Sequence, residues 1–227
     1  ILKEQDETVV NQYILTLETS LSCLLTISDY QSFTTYTQEL LRIAEELSKI
    51  NPQRSSQIYS LIAKIFQRNK DYILNTLTEL SPEQLEHAVW FLKLTCEQSP
   101  QVILEAISTA KSQQVCNVLT ELLVNLSNQD LVTNAISNFI VPQTPSYKVT
   151  KLIEVLDKFK QDFSNLLKNY YKYATYTTKV VILNYIQQKP TDENLSWLEA
   201  LLDEKETQVL EYVIDIILSL IHISEPT

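Results

Sequence analysis

Not one of the 227 residues is glycine. At an average usage of about 7%, a chain this long carries about sixteen. Glycine lets backbone enter positive φ and lets it approach a phosphate closely. Without it there is no P-loop, no dinucleotide-binding fingerprint, no kinase glycine loop and no G-x-S-x-G nucleophile elbow. Tight β-hairpins, which want Asn-Gly or Asp-Gly at the turn, are disfavoured with them. Helices joined by polar turns need none of this, so the expectation is an all-α fold of about ten to twelve helices without β-sheet.

The helix starts are legible. Asn51-Pro52, Ser81-Pro82 and Ser99-Pro100 each place a capping side chain before a proline. At the first helical position proline's missing N–H costs nothing. Ser81 with Gln84 forms a capping box, and Thr191 precedes two acids, Asp192 and Glu193, that suit the positive end of a helix dipole. Pro142, Pro145 and Pro190 fall between helical patterns. Apolar residues recur at three and four: Leu40, Leu41, Ile43, Ala44, Leu47 and Ile50 in one segment. Leu85, Ala88, Val89, Leu92 and Leu94 form another, with Trp90 and Phe91 widening its stripe. The spacing predicts helices mostly of 10 to 17 residues, a longer one within residues 1–28, and one real loop around 141–147.

The chain also resembles itself. Residues 103–126 align without gaps on 197–220, pairing Leu104 with Leu198, Glu105 with Glu199, Ala106 with Ala200, Lys111 with Lys205, Gln114 with Gln208 and Val115 with Val209. Residues 73–94 enter the same frame, with Leu74, Leu77, Leu85, Val89 and Leu92 opposite Leu104, Ile107, Val115, Leu119 and Leu122. Each copy reads as a short helix, a polar turn and a longer helix. A pair of that kind cannot bury its apolar stripe alone but can when stacked on the next.

Leu198, Leu201, Leu202, Asp203 and Val209, followed by an apolar helix, resemble the HEAT repeat of the armadillo-like α-solenoids. The likeness spans roughly 73–217 unevenly, with 128–165 unclear. It implies an α-solenoid of antiparallel helix pairs, an armadillo-type superhelix, over residues 1–217. The family usually places Arg directly after that Val; Leu210 and Cys116 stand there instead, so the polar ladder that ties its repeats does not carry over. Tetratricopeptide repeats fit less well, since their signature needs a glycine. The last ten residues, LSLIHISEPT, resemble one translated frame of a transposon-end sequencing adapter. With Ile first and no methionine, the expectation is a metagenomic fragment of a longer protein, native to Ile217 and followed by a foreign tail at 218–227.

Chemistry is sparse. Net charge is −10, and the excess acid lies in residues 1–50 and 201–227. A duplex-binding protein needs a basic face, so nucleic acid is disfavoured. No apolar run reaches the roughly 18 to 20 residues of a membrane span. Cys23, Cys96 and Cys116 are few, odd in number and widely spaced, which fits a reducing, cytoplasmic setting. His87 has Glu83 four residues earlier but Gln84 where a di-iron motif wants Glu, and it lacks triad or zinc companions. The acids Asp203, Glu204 and Glu206 read as a solvated turn. One stretch, LLKNYYKYATYTTKVV, interleaves Lys168, Lys172 and Lys179 with Tyr170, Tyr171, Tyr173 and Tyr176. We take Lys168, Tyr170, Lys172, Tyr173, Tyr176 and Lys179 as candidate partner-binding residues, because tyrosine is enriched at protein interfaces. The expectation is a non-catalytic scaffold that presents a solenoid groove to a protein partner, with no metal or cofactor. The alternative is a HEAT-like nucleic-acid-acting or lyase-type enzyme module.

Overall fold

The computed structural model describes residues 6–97, 99–203 and 205–224, with backbone alone for 221–224. Among the described residues there are twelve α-helices, one 3₁₀ turn and no strand. The chain divides into two compact units, Ile1–Ser99 and Pro100–Thr227.

The first unit holds α1 (Glu7–Thr26), α2 (Tyr30–Ser48), α3 (Pro52–Thr76) and α4 (Pro82–Cys96). Each start is capped by a side chain that takes one of the helix's orphan N–H groups. Asp6 accepts from Thr8, Asp29 from Ser32 and Asn51 from Arg54, while Ser81 and Gln84 complete the capping box. Alternate helices lie side by side, α1 against α3 and α2 against α4. Along α1 and α3 the bonded pairs Glu18–Lys64, Ser22–Asn69 and Thr26–Tyr72 keep a nearly constant separation in sequence, so the two helices run parallel.

Three phenylalanines pin the core of this unit. Phe91 meets Phe33 edge-on at 4.6 Å and Phe66 edge-on at 6.0 Å, an arrangement that favours the ring quadrupoles. Phe91 is therefore the centre of the α4 stripe rather than its margin. Ile50 and Leu94, placed on stripes by their spacing, are exposed instead. Ile50 lies beyond the end of α2, where the 3.6-residue period no longer aims its side chain.

The second unit holds α5 (Gln101–Thr109), α6 (Gln113–Val124), α7 (Gln129–Phe139), α8 (Ser146–Leu156), α9 (Ser164–Tyr171), α10 (Tyr176–Gln187), α11 (Asp192–Ala200) and α12 (Thr207–Ser224). The 3₁₀ turn, Leu201–Asp203, follows α11. Within this unit α5 packs on α8, α8 on α10 and α10 on α12, while α9 lies against α10 and α11 against α12. Aligned positions of the two copies share burial: Leu104 and Leu198, Leu119 and Val213, Leu122 and Ile216 are all buried. Their neighbours differ, however. The alignment equates α6 with α12, yet α5 is the helix that stands beside α8.

Three other expectations change. Helix lengths spread from 8 residues in α9 to 25 in α3, so the copy at 73–94 begins inside α3 and not in a short helix. None of the polar run Gln67–Asp71 is fully buried on α3, with Asn69 bonded to Ser22 of α1, and the apolar stripe resumes at Ile73. Ser99 does not cap α5. Pro100 has αR dihedrals and its carbonyl accepts from Ile103 and Leu104, so the helix starts one residue too late for Ser99. A second loop, 157–163, joins the one at 140–145. It contains no proline and is held from outside: the Phe163 N–H donates to the Tyr185 hydroxyl at 3.2 Å, and Lys189 sits 3.8 Å from Asp157 and 3.6 Å from Asp162. In the C-terminal segment α12 runs unbroken through Leu218 to Ser224; residues 225–227 lie outside the described residues.

Removing the ring at the centre of the aromatic triad leaves a cavity lined by Phe33 and Phe66. Phe91→Ala is expected to destabilise the first unit by about 3–5 kcal/mol in urea denaturation. A loss below about 1 kcal/mol would show that the three rings do not organise this core.

Candidate interaction surface

The six candidate residues fall on α9, α10 and the turn between them, and the structure separates them into two groups. Tyr170 is buried, its hydroxyl donating to the Thr144 carbonyl at 2.7 Å. Lys168 is almost covered, with Nζ 3.4 Å from Glu193 and 3.2 Å from the Asn165 side chain. Lys179 lies over the Tyr171 ring at 5.2 Å and reaches Glu206 at 3.1 Å. These three hold helices together. Lys172, Tyr173 and Tyr176 are exposed, with Lys172 5.0 Å from the centre of the Tyr173 ring. Lys168 and Lys172, four residues apart in the chain, differ in exposure. The difference arises because α9 ends at Tyr171, leaving Lys172 on the turn while Lys168 still faces α11.

Hydroxyl groups fix the corner that carries the exposed residues. The Thr175 N–H donates to Ser146 Oγ at 3.2 Å, and the Ser146 and Tyr170 hydroxyl oxygens lie 3.3 Å apart. Thr178, buried on α10, lies 2.8 Å from the Thr150 hydroxyl and 3.1 Å from that of Thr175, and donates to the Ser146 carbonyl at 3.3 Å. Each bond contributes roughly 0.5–1.5 kcal/mol, and together they leave the 170–178 turn little freedom against the start of α8. Beside this corner a groove of about 820 Å³ opens between the end of α5 and the first turns of α8 and α10. Tyr147, 62% exposed, stands on its rim, and among the described residues no carboxylate lines it. Lys172 and Tyr173 border a smaller hollow of about 280 Å³ with Pro142 and Asn169.

Sequence reasoning passed over Tyr147 and the hydroxyl set. Their signal was there in QTPSYKVT and ATYTTK, two stretches dense in Ser and Thr, but only the fold brings them together. The remaining candidates stay dispersed. His87 is half-buried on α4. Asp203 is exposed, Glu206 is taken by Lys179, and Glu204 lies outside the described residues. Among the described residues no group of three or more His, Cys, Asp or Glu is placed to hold a metal. Also among them, no helix is long and apolar enough to cross a membrane. Cys96 and Cys116 are buried and Cys23 is exposed. Burial pushes the Cys96 thiol up to about 12, far from the thiolate that would react.

Two outcomes check this geometry. Tyr170→Phe is expected to cost about 1 kcal/mol in chemical denaturation, because the Thr144 carbonyl loses its donor, while Tyr173→Phe leaves stability unchanged. Native alkylation read by mass spectrometry is expected to mark Cys23 alone, with Cys96 and Cys116 labelled only in denaturant. Equal labelling of all three would show the helices to be loosely packed.

No protein-family model, no curated protein and no solved structure matches the chain.

Proposed function

We propose that this chain is a non-catalytic scaffold that binds a protein partner through the corner carrying Tyr147, Lys172, Tyr173 and Tyr176. The carrying observation is that three tyrosines, 62%, 47% and 40% exposed, are mounted on a corner that five side-chain hydroxyls tie down. Tyrosine offers a large amphipathic contact area for two rotatable bonds, and a corner already ordered loses little entropy on docking. In this reading the helix pairs form a HEAT-like α-solenoid, supported by the side-by-side placement of alternate helices within each unit. Its setting is the cytoplasm, in keeping with three unbridged cysteines. A nucleic-acid role draws less support, because Lys168 and Lys179 spend their charge on Glu193 and Glu206.

The test compares Tyr147→Ala/Tyr173→Ala/Tyr176→Ala with Tyr13→Ala/Tyr36→Ala/Tyr59→Ala, an equally exposed control set on the first unit. Both sets should fold as the wild type does, since exposed substitutions usually fall within about 0.5 kcal/mol each. A partner captured by the wild-type chain and measured by titration should bind the corner variant at least about 10-fold more weakly and the control unchanged. Equal binding by the two variants would remove the corner from function. Binding of single-stranded DNA that survives physiological salt would favour the nucleic-acid reading instead.

A further inference from the structure

Helix α1 is attached to its unit in an unusual way. Over its 20 residues the fully buried apolar side chains are Val10, Leu21 and Leu25, and the position between them on that stripe is Glu18, only 2% exposed. Its carboxylate accepts from Lys64 on α3 at 2.8 Å and is paired with Arg68 one turn on. These contacts, led by the Lys64 bond, hold the Glu18 carboxyl below the usual range against the opposing effect of burial. Nearer the start of α1, Glu7 lies 3.8 Å from Arg54. The face of α3 under α1 is thus a row of cations, Arg54, Lys64 and Arg68, met by acids from α1 in a chain whose net charge is −10.

The contact is also incompletely filled. A hollow of about 450 Å³ lies between Asn11, Ile14 and Glu18 of α1 and Gln57, Leu61 and Lys64 of α3. The buried Gln57 Oε1 has no hydrogen-bond partner among the described residues. At the other end α1 turns into α2 through Ser28, whose φ of 60° is the one positive value among the described residues. A side chain with a Cβ is disfavoured in that left-handed region, so the hinge is under strain.

We propose that α1 is a displaceable strap: it opens from α3 ahead of the rest of its unit and bares a basic groove that accepts another acidic amphipathic helix in its place. Charge recruits the occupant, and the sparse apolar contact keeps the internal one exchangeable. An elongated acidic helix that offers an apolar stripe interrupted by a carboxylate is the ligand this groove fits, and α1 itself is the pattern.

Hydrogen exchange on the intact chain, together with a labelled peptide of residues 6–27, tests this. Amides of α1 are expected to exchange by local opening, well before those of α2 and α3. Glu18→Gln should speed α1 exchange on the order of 100-fold, since it leaves Lys64 and Arg68 beside a neutral group. The peptide should bind the Glu18→Gln chain at least about 10-fold more tightly than the wild type, whose own α1 competes for the groove. Tyr72→Phe, which removes only the bond to the Thr26 carbonyl, provides a milder opening should the first variant not fold. Equal protection across α1, α2 and α3 in the wild type would overturn the proposal. So would peptide affinity that neither substitution changes.

Discussion

Short helices joined by glycine-free turns have little to stabilise them except one another. An isolated helix of 8 to 12 residues is marginal in water, because nucleation costs more than so few backbone bonds return. Seven of the eight helices in the second unit are 12 residues or shorter. Their order depends on burying an apolar stripe against a neighbour. Ile103, Leu104 and Ile107 of α5 and Val149, Leu152 and Leu156 of α8 are buried as those two helices pack, and Ile182, Leu183 and Ile186 are buried on α10.

Polar groups decide which neighbour a stripe finds and at what height. Apolar packing is non-directional, whereas a bond between two side chains is satisfied at one offset. Between α8 and α10 the offset is set by Thr150 and Thr178, and between α10 and α12 by Gln187 and Ser219 at 2.8 Å. Between α1 and α3 it is set by Glu18, Asn69 and Tyr72. The same polar groups that fix register thereby create the places where function is proposed: a stiff corner on α8 and α10, and a seam on α3 that a competing helix could fill.

Legibility followed the range of the interaction. The caps at Asn51, Ser81 and Thr191 were readable because a cap is completed within three residues, and each accepts the N–H expected of it. Ser99 was misplaced by a single residue because Pro100 could itself serve as the boundary. The loop at 157–163 left no mark, since Tyr185 and Lys189, which hold it, lie more than twenty residues away. The tyrosine and lysine stretch stood out by composition, but whether a given side chain faces a neighbour or water depends on where α9 stops. Tyr170 and Tyr173 are three residues apart, one buried and one exposed.

From the residues alone came the all-helical class, three of the four helix starts marked by a capping side chain, and the exclusion of every chemistry that needs glycine at a phosphate or a nucleophile. Each rests on local stereochemistry: what a φ angle, a capping oxygen or a 3.6-residue period permits. The tertiary structure alone decided that α5, not α6, packs against α8, that Lys168 and Lys179 are committed to Glu193 and Glu206, and that Ser146, Thr150 and Thr178 share one corner. Those outcomes depend on pairings between residues distant in the chain, and nothing in the neighbourhood of either partner specifies the other.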